Sequence, residues 1–416
     1  METICQALPL RIKFIGGNYM PFRFSVLSTF PPRQCGIATY SYDLLTHLPS
    51  LAKPNVLAIC EEESQPGNLE FCVRQHIRED YLALATHVNR SKAQLVHIQH
   101  EFGIFGGRDG SYLLDFLAQL QKPAVTTFHT VLATPDPHKF KIMQKVALQS
   151  ARVIVMAKRA KEILVDTYGI NPDKICMLHH GVPKPTSATR GELKKRLNLE
   201  GRPVISTFGL LGRGKGIEYA IQAVAKAKEQ FPDLCYLIIG KTHPSVKKHE
   251  GEDYRYMLME LTRVLGVEDN VKFLDRFLDK EELVEYLTLS DIYLTPYIGQ
   301  EQITSGTLAY AVGLGKAVVS TPYVYATELL AEGRGLLTEF RDADSMANCL
   351  LKILASPQLQ AQLEERAGQL GKLMSWDYVA EQHLALYCQV AAEKEHYKTG
   401  ALFVPGGELV AHTAQT

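Results

Sequence analysis

A chain of 416 residues is longer than one hydrophobic core usually serves, so two domains are expected. Its 46% hydrophobic and 22% charged residues exclude a disordered or fibrous protein. Equal numbers of basic and acidic side chains, 45 of each, exclude a general nucleic-acid binder. The eight cysteines are scattered without a C-x-x-C pair, which favours buried free thiols over disulfides or zinc. No apolar run reaches membrane-spanning length, and residues 1–20 lack the charge pattern of a signal peptide. A cytoplasmic protein is expected, with peripheral membrane contact left open.

Residues 1–22 read as a variable lead-in. The first buried strand covers 24–29, and a loop containing Arg33 and Gly36 leads into a helix over 38–48. Strands at 56–60, 94–99, 124–128, 152–156 and 175–178 alternate with helices at 81–89, 111–121, 139–149 and 158–168. His100 and Glu101 follow one strand directly, and His129 follows another. Such alternation predicts a parallel sheet wound on both sides. A Pro/Ser/Thr linker at 183–189 separates a domain over 23–186 from one over 187–375.

The rhythm then restarts. A strand at 204–208 runs into the glycine-rich loop Gly209-Leu210-Leu211-Gly212-Arg213-Gly214-Lys215-Gly216, followed by a helix over 217–228. Strands at 235–239, 271–274 and 292–295 follow, with helices at 252–265 and 281–289 between them. The stretch from 297 to 320 reads as loop, helix, buried strand. Thr304 and Ser305 are helix-capping residue types, and Gly306 leaves the first turn bare. A helix opening with exposed N–H groups is suited to an anion, and Glu301 and Gln302 stand beside it to meet hydroxyls. Carboxylate and amide beside a phosphate cradle fit a nucleotide sugar. Helices at 343–355, 359–370 and 376–393 close the ordered chain, and 398–416 reads as a flexible tail. Two such wound domains create a cleft between the carboxyl ends of their strands, where ligands bind.

Four stretches in this order resemble the GT-B glycosyltransferases of the large retaining family 4. They are Pro-Pro-Arg-Gln-Cys-Gly-Ile-Ala-Thr at 31–39, His-His-Gly-Val at 179–182, Gly-Arg-Gly-Lys-Gly at 212–216, and the stretch over 301–320. The resemblance covers most of 24–395. It implies two Rossmann-like α/β domains facing across a cleft, with the acceptor side on the N-terminal domain and the nucleotide sugar on the C-terminal one. It also implies that the helix over 376–395 crosses back to the first domain. Where the family carries two glutamates eight positions apart, this chain has Gln302 and Tyr310, with Glu301 one residue away. The arginine that usually precedes the lysine is absent, and Arg213 is a candidate replacement.

The resemblance assigns roles residue by residue. Lys215 and Arg213 would hold the diphosphate, aided by backbone N–H groups of Ser305, Gly306 and Thr307. His129 would contact the donor sugar near the reacting carbon, and Glu301 would bind its hydroxyls. Gly36 would let the first loop approach the donor. Gln302, Tyr310 and Arg276 would complete the donor site, Arg276 at the nucleobase. Arg33 would face donor or acceptor, and His100 and Glu101 would lie on the acceptor side, at the cleft mouth. The implied chemistry is hexosyl transfer with retention from a UDP- or GDP-linked sugar to a carbohydrate or other hydroxyl, with neither metal nor tightly bound cofactor. Each residue also has a plainer role available, such as solvated turn, N-cap or strand-end histidine. Asp342-Ala343-Asp344 resembles a metal-binding D-x-D but opens a surface helix, where acids favour the dipole. The alternatives are a glycoside phosphorylase, a nucleotide-sugar 2-epimerase on the same fold, and a non-catalytic nucleotide-sugar sensor.

Overall fold

The computed structural model describes residues 21–61 and 69–399. The expected lead-in at 1–22 and tail at 398–416 lie almost wholly outside the described residues. Seven parallel strands form the first sheet: β1 (Phe22–Ser28), β2 (Ala52–Cys60), β3 (Phe71–Arg74), β4 (Val96–His100), β5 (Ala124–Phe128), β6 (Arg152–Val155) and β7 (Ile175–Met177). Their order is β3-β2-β1-β4-β5-β6-β7. Six more form the second: β8 (Val204–Phe208), β9 (Cys235–Ile239), β10 (Val271–Leu274), β11 (Ile292–Thr295), β12 (Ala317–Ser320) and β13 (Leu336–Leu337). Their order is β10-β9-β8-β11-β12-β13. The central strands read as nearly unbroken apolar runs because helices cover both faces of each sheet.

The strand edges drawn from the sequence hold within about two residues, except that β2 starts earlier. The four-residue edge strand β3 carries no alternation and was not expected; nor were the short helices Arg190–Arg196, Pro244–Glu250 and Val324–Leu329. The helix Arg190–Arg196 buries only Leu193, so it has almost no apolar stripe to read, yet Thr189 and Glu192 form a full capping box at its start. One further expectation is corrected. Cys60 and Cys72 are joined by a disulfide between β2 and β3, their Cα atoms 6.1 Å apart. The parallel register that sets Cys72 opposite Ala58 brings the two sulfurs together. A separation of 12 residues gave no sign of it. Cys35, Cys235, Cys349 and Cys388 are free thiols.

The chain crosses between the domains twice, and the crossings hold each other. Val182 N–H donates to the Met374 carbonyl at 2.8 Å, and Trp376 N–H donates to the Val182 carbonyl at 3.2 Å. Beyond this point the helix Trp376–Thr399 lies on the first sheet. Leu384, Leu386, Tyr387 and Val390 pack among Phe24, Val26, Val125 and Ile154. No helix among the described residues is long and apolar enough to cross a membrane.

Candidate functional site

Strand order reverses between β1 and β4 in one sheet and between β8 and β11 in the other. In doubly wound sheets the crevice beyond the carboxyl ends at such a reversal is the ligand site. The loops after β8 and β11 carry Lys215 and Ser305. The loops after β1, β4 and β5 carry Arg33 and Gly36, Glu101, and His129.

On the C-terminal side, backbone turns come first. Gly209 (φ +131°) and Gly240 (φ +139°) end β8 and β9 in close contact; a Cβ on Gly240 would lie 2.1 Å from the Gly209 carbonyl oxygen. Only glycine fits there. The short turn Arg213–Lys215 then presents Lys215, partly buried, with Nζ 3.9 Å from the centre of the Tyr297 ring. Tyr297 is hydrogen-bonded through its hydroxyl to Thr307 Oγ1 at 2.8 Å, and Thr307 Oγ1 lies 3.1 Å from Ser305 Oγ. Ser305 Oγ caps the helix Gly306–Gly313 by accepting from Leu308 N–H at 3.3 Å. Cation, aromatic platform, two hydroxyls and a helix N-terminus are thereby tied into one unit. Arg213 takes another direction: it pairs with Glu250 at 3.1 Å and lies over Tyr254 at 5.7 Å. Arg276 is paired with Glu282, Nη1 to Oε2 at 2.7 Å. Glu301 is exposed on the loop, while Gln302 Nε2 donates to the Thr304 carbonyl at 3.0 Å.

On the N-terminal side, the helix Gly36–Thr46 is capped by Cys35 Sγ, which accepts from Ala38 N–H. A Cβ on Gly36 would meet nothing within 4 Å, so glycine leaves the helix start open. Arg33 donates to Gln75 Oε1 at 3.0 Å and pairs with Glu61 at 3.2 Å. His129 is partly buried, with Nε2 2.8 Å from Gln99 Oε1 and the Tyr40 ring edge-on at 4.9 Å. Burial first, then the neighbouring His180, His100 and His383, push its pKa down to about 3.

One acceptor-side expectation is corrected. His100 does not line the cleft mouth: it is fully buried, with Phe102, Phe105 and Phe128 around it and no partner on either nitrogen. Burial pushes its pKa down to about 3. The residue ends β4, and the pleat turns it into the core. Glu101 is used locally; it accepts from Phe102 N–H at 3.0 Å and from the Thr130 hydroxyl, and burial raises its pKa.

Between the two sides the domains meet tightly. Asp43, fully buried, pairs with Lys280 and accepts from the Tyr310 hydroxyl at 3.4 Å. Tyr310 therefore points across the seam, and burial, then Asp43, raises its pKa. The bare turn at Gly306 faces His180: a Cβ there would lie 3.1 Å from its Nε2. His180 Nδ1–H donates to the Gly181 carbonyl at 2.7 Å, which leaves Nε2 as an acceptor aimed at the helix start. Sequence reasoning missed Tyr40, Asp43, Gln99, Tyr297 and the seam role of His180. His180 lay in a quoted motif and Tyr297 at the start of the stretch over 297–320; the others are brought in by packing.

A model of the glycosyl transferases group 1 matches residues 189–370, and one of glycosyltransferase family 4 matches residues 36–184. The chain belongs to glycosyltransferase family 4. It is 27% identical over 265 residues to D-inositol 3-phosphate glycosyltransferase of Stackebrandtia nassauensis, covering 61% of this chain and 58% of that protein. It is 30% identical over 194 residues to phosphatidyl-myo-inositol mannosyltransferase of Mycolicibacterium smegmatis, covering 45% of each. The chain thus spans less than two thirds of these relatives' length. Among solved structures, a glycosyltransferase of Rickettsia africae superposes with TM-score 0.71 at 17% identity, over 88% of this chain and 98% of that one. Anabaena HepE in complex with UDP and glucose superposes with TM-score 0.70 at 14% identity, over 88% and 100%. Likeness at that identity is one of fold. Gln302 and Tyr310, which stand where the resemblance expects two glutamates, each have a partner within the molecule, the Thr304 carbonyl and Asp43.

Proposed function

We propose that the protein transfers a hexosyl group from a UDP- or GDP-linked sugar to a hydroxyl of a carbohydrate or similar acceptor, with retention and without a metal. The observation that carries this reading is the unit of Lys215, Tyr297, Thr307 and Ser305 at the start of the helix Gly306–Gly313. A leaving diphosphate gains charge as its bond to the sugar breaks. A held ammonium and a helix N-terminus answer that charge without reorganising. His129, neutral and beside the crevice, would meet the sugar's hydroxyls. The departing phosphate would take the acceptor's proton as the new bond forms on the same face, and the protein would supply orientation and electrostatics. Family membership and the UDP and glucose bound by the HepE fold support the choice of donor. The inositol acceptors in two relatives' names support a polyol hydroxyl as acceptor.

A glycoside phosphorylase is the second reading, and Tyr310 favours it. At the position where the resemblance expects the second glutamate, Tyr310 is bound to Asp43. One experiment separates the readings. The protein is incubated with UDP-, GDP- and ADP-sugars, with and without polyol acceptors, and product anomers are followed by NMR. Retained-anomer transfer is expected from a UDP- or GDP-sugar. Turnover that requires inorganic phosphate and ignores every nucleotide sugar would overturn the transferase.

A further inference from the structure

A chain of buried polar groups runs from the returning helix to His129. Tyr387 OH lies 2.6 Å from His97 Nδ1, and Thr127 Oγ1 lies 2.8 Å from His97 Nε2. Gln99 Nε2 sits 3.3 Å and 3.4 Å from the two His97 ring nitrogens, and Gln99 Oε1 sits 2.8 Å from His129 Nε2. His97, Gln99 and Tyr387 are fully buried. None of the three was singled out by the sequence.

With the Gln99 amide nitrogen facing His97 and its oxygen facing His129, the chemistry of these atoms fixes a proton. An amide oxygen only accepts, so the contact at Gln99 Oε1 requires the proton of His129 to be on Nε2. The imidazole is neutral, because burial and the flanking His180, His100 and His383 disfavour its cation and the Tyr40 ring edge brings no charge. A neutral imidazole carries one N–H, so Nδ1 keeps its lone pair. We propose that Gln99 is a positioning residue that holds His129 in the Nε2–H tautomer. Nδ1 then accepts a hydrogen bond from a hydroxyl of the bound sugar, and Tyr387 locks Gln99 through His97. The sugar at this point carries a hydroxyl; a deoxy position gives nothing to the lone pair, and a carboxylate repels it. Reception of a sugar rests on the glycosyltransferase reading; the tautomer does not.

The test is therefore read first without substrate. In protein labelled with ¹⁵N-histidine, the His129 signals are assigned by their loss in His129→Asn. A protonated Nε2 and a bare Nδ1 are expected; a protonated Nδ1, or an imidazolium at neutral pH, overturns the proposal. Gln99→Leu should add an Nδ1–H population and lower turnover roughly tenfold. Gln99→Glu keeps the acceptor but adds a negative charge, so the acid limb of the kcat–pH profile should move up by about one unit or more. A group that merely fills space would leave the tautomer and the profile unchanged, and that result also overturns the proposal. Should either variant melt early, the wild-type tautomer decides alone. Failure to use any nucleotide sugar would sink the donor reading and leave the tautomer result standing.

Discussion

The two walls of the cleft are built on opposite electrostatic principles. The C-terminal wall offers charge. Lys215 stays partly solvated above Tyr297, on a loop freed by glycines, beside unpaired N–H groups of a helix start. The N-terminal wall removes charge. His97, His100, His180 and His383 are buried, His129 partly so, and all are held neutral by desolvation. A diphosphate needs fixed positive charge, whereas a sugar needs hydrogen-bond partners that keep a defined tautomer. The division of labour follows from burial: Lys215 is only partly buried, whereas His97 is covered by Tyr387 of the returning helix and His100 by Phe102, Phe105 and Phe128.

The largest effect that would break this contrast is acid. Unfolded histidine takes up a proton near pH 6.5. In the fold His180 and His383 wait until about 4 and His100 until about 3, with His97 well below its ordinary value. Between those limits the unfolded state binds more protons, so stability falls as pH falls. Each fully shifted group contributes up to about 1.4 kcal/mol per pH unit. Circular dichroism melts should show Tm dropping steeply from pH 6.5 to 4.5. A flat profile would mean that these imidazoles reach water.

On the opposite wall, Lys215→Ala should leave Tm nearly unchanged and lower turnover more than roughly tenfold. Tyr297→Phe removes the hydroxyl that ties the platform to Thr307 while keeping the ring, so a loss of about threefold to tenfold is expected in kcat/KM. Arg213→Ala should cost about twofold at most, since Arg213 is exposed and engaged with Glu250, a solvent-screened pair. A loss as large as that of Lys215→Ala would show that Arg213 swings to the diphosphate, sharpening the account of the missing family arginine.

The fold was largely legible because strands buried on both faces are short apolar runs ended by glycine or a polar cluster. Those at 204–208, 235–239, 271–274, 292–295 and 317–320 match the structure residue for residue. The edge strand β3 was not, since it is only half covered and its pattern is broken by Glu70 and Arg74. Within the candidate site, His129 was legible as a strand-end residue, Lys215 as part of a glycine-rich loop, and Ser305 and Thr307 as a helix start. Asp43 and Gln99 were not. Their roles depend on which residue of a distant element faces them, Tyr310 for one and His129 for the other, and no local spacing encodes that. His100 misled for a related reason, because one step along a strand reverses the face.

The central claim is that the unit around Lys215 holds a nucleoside diphosphate. Thermal stabilisation measured with UDP, GDP, ADP and inorganic phosphate, on the wild type and on Lys215→Ala, tests it most directly. The account predicts that UDP or GDP raises Tm in the wild type, that the shift is lost in Lys215→Ala, and that phosphate alone does little. A shift with phosphate and none with any nucleotide would contradict it.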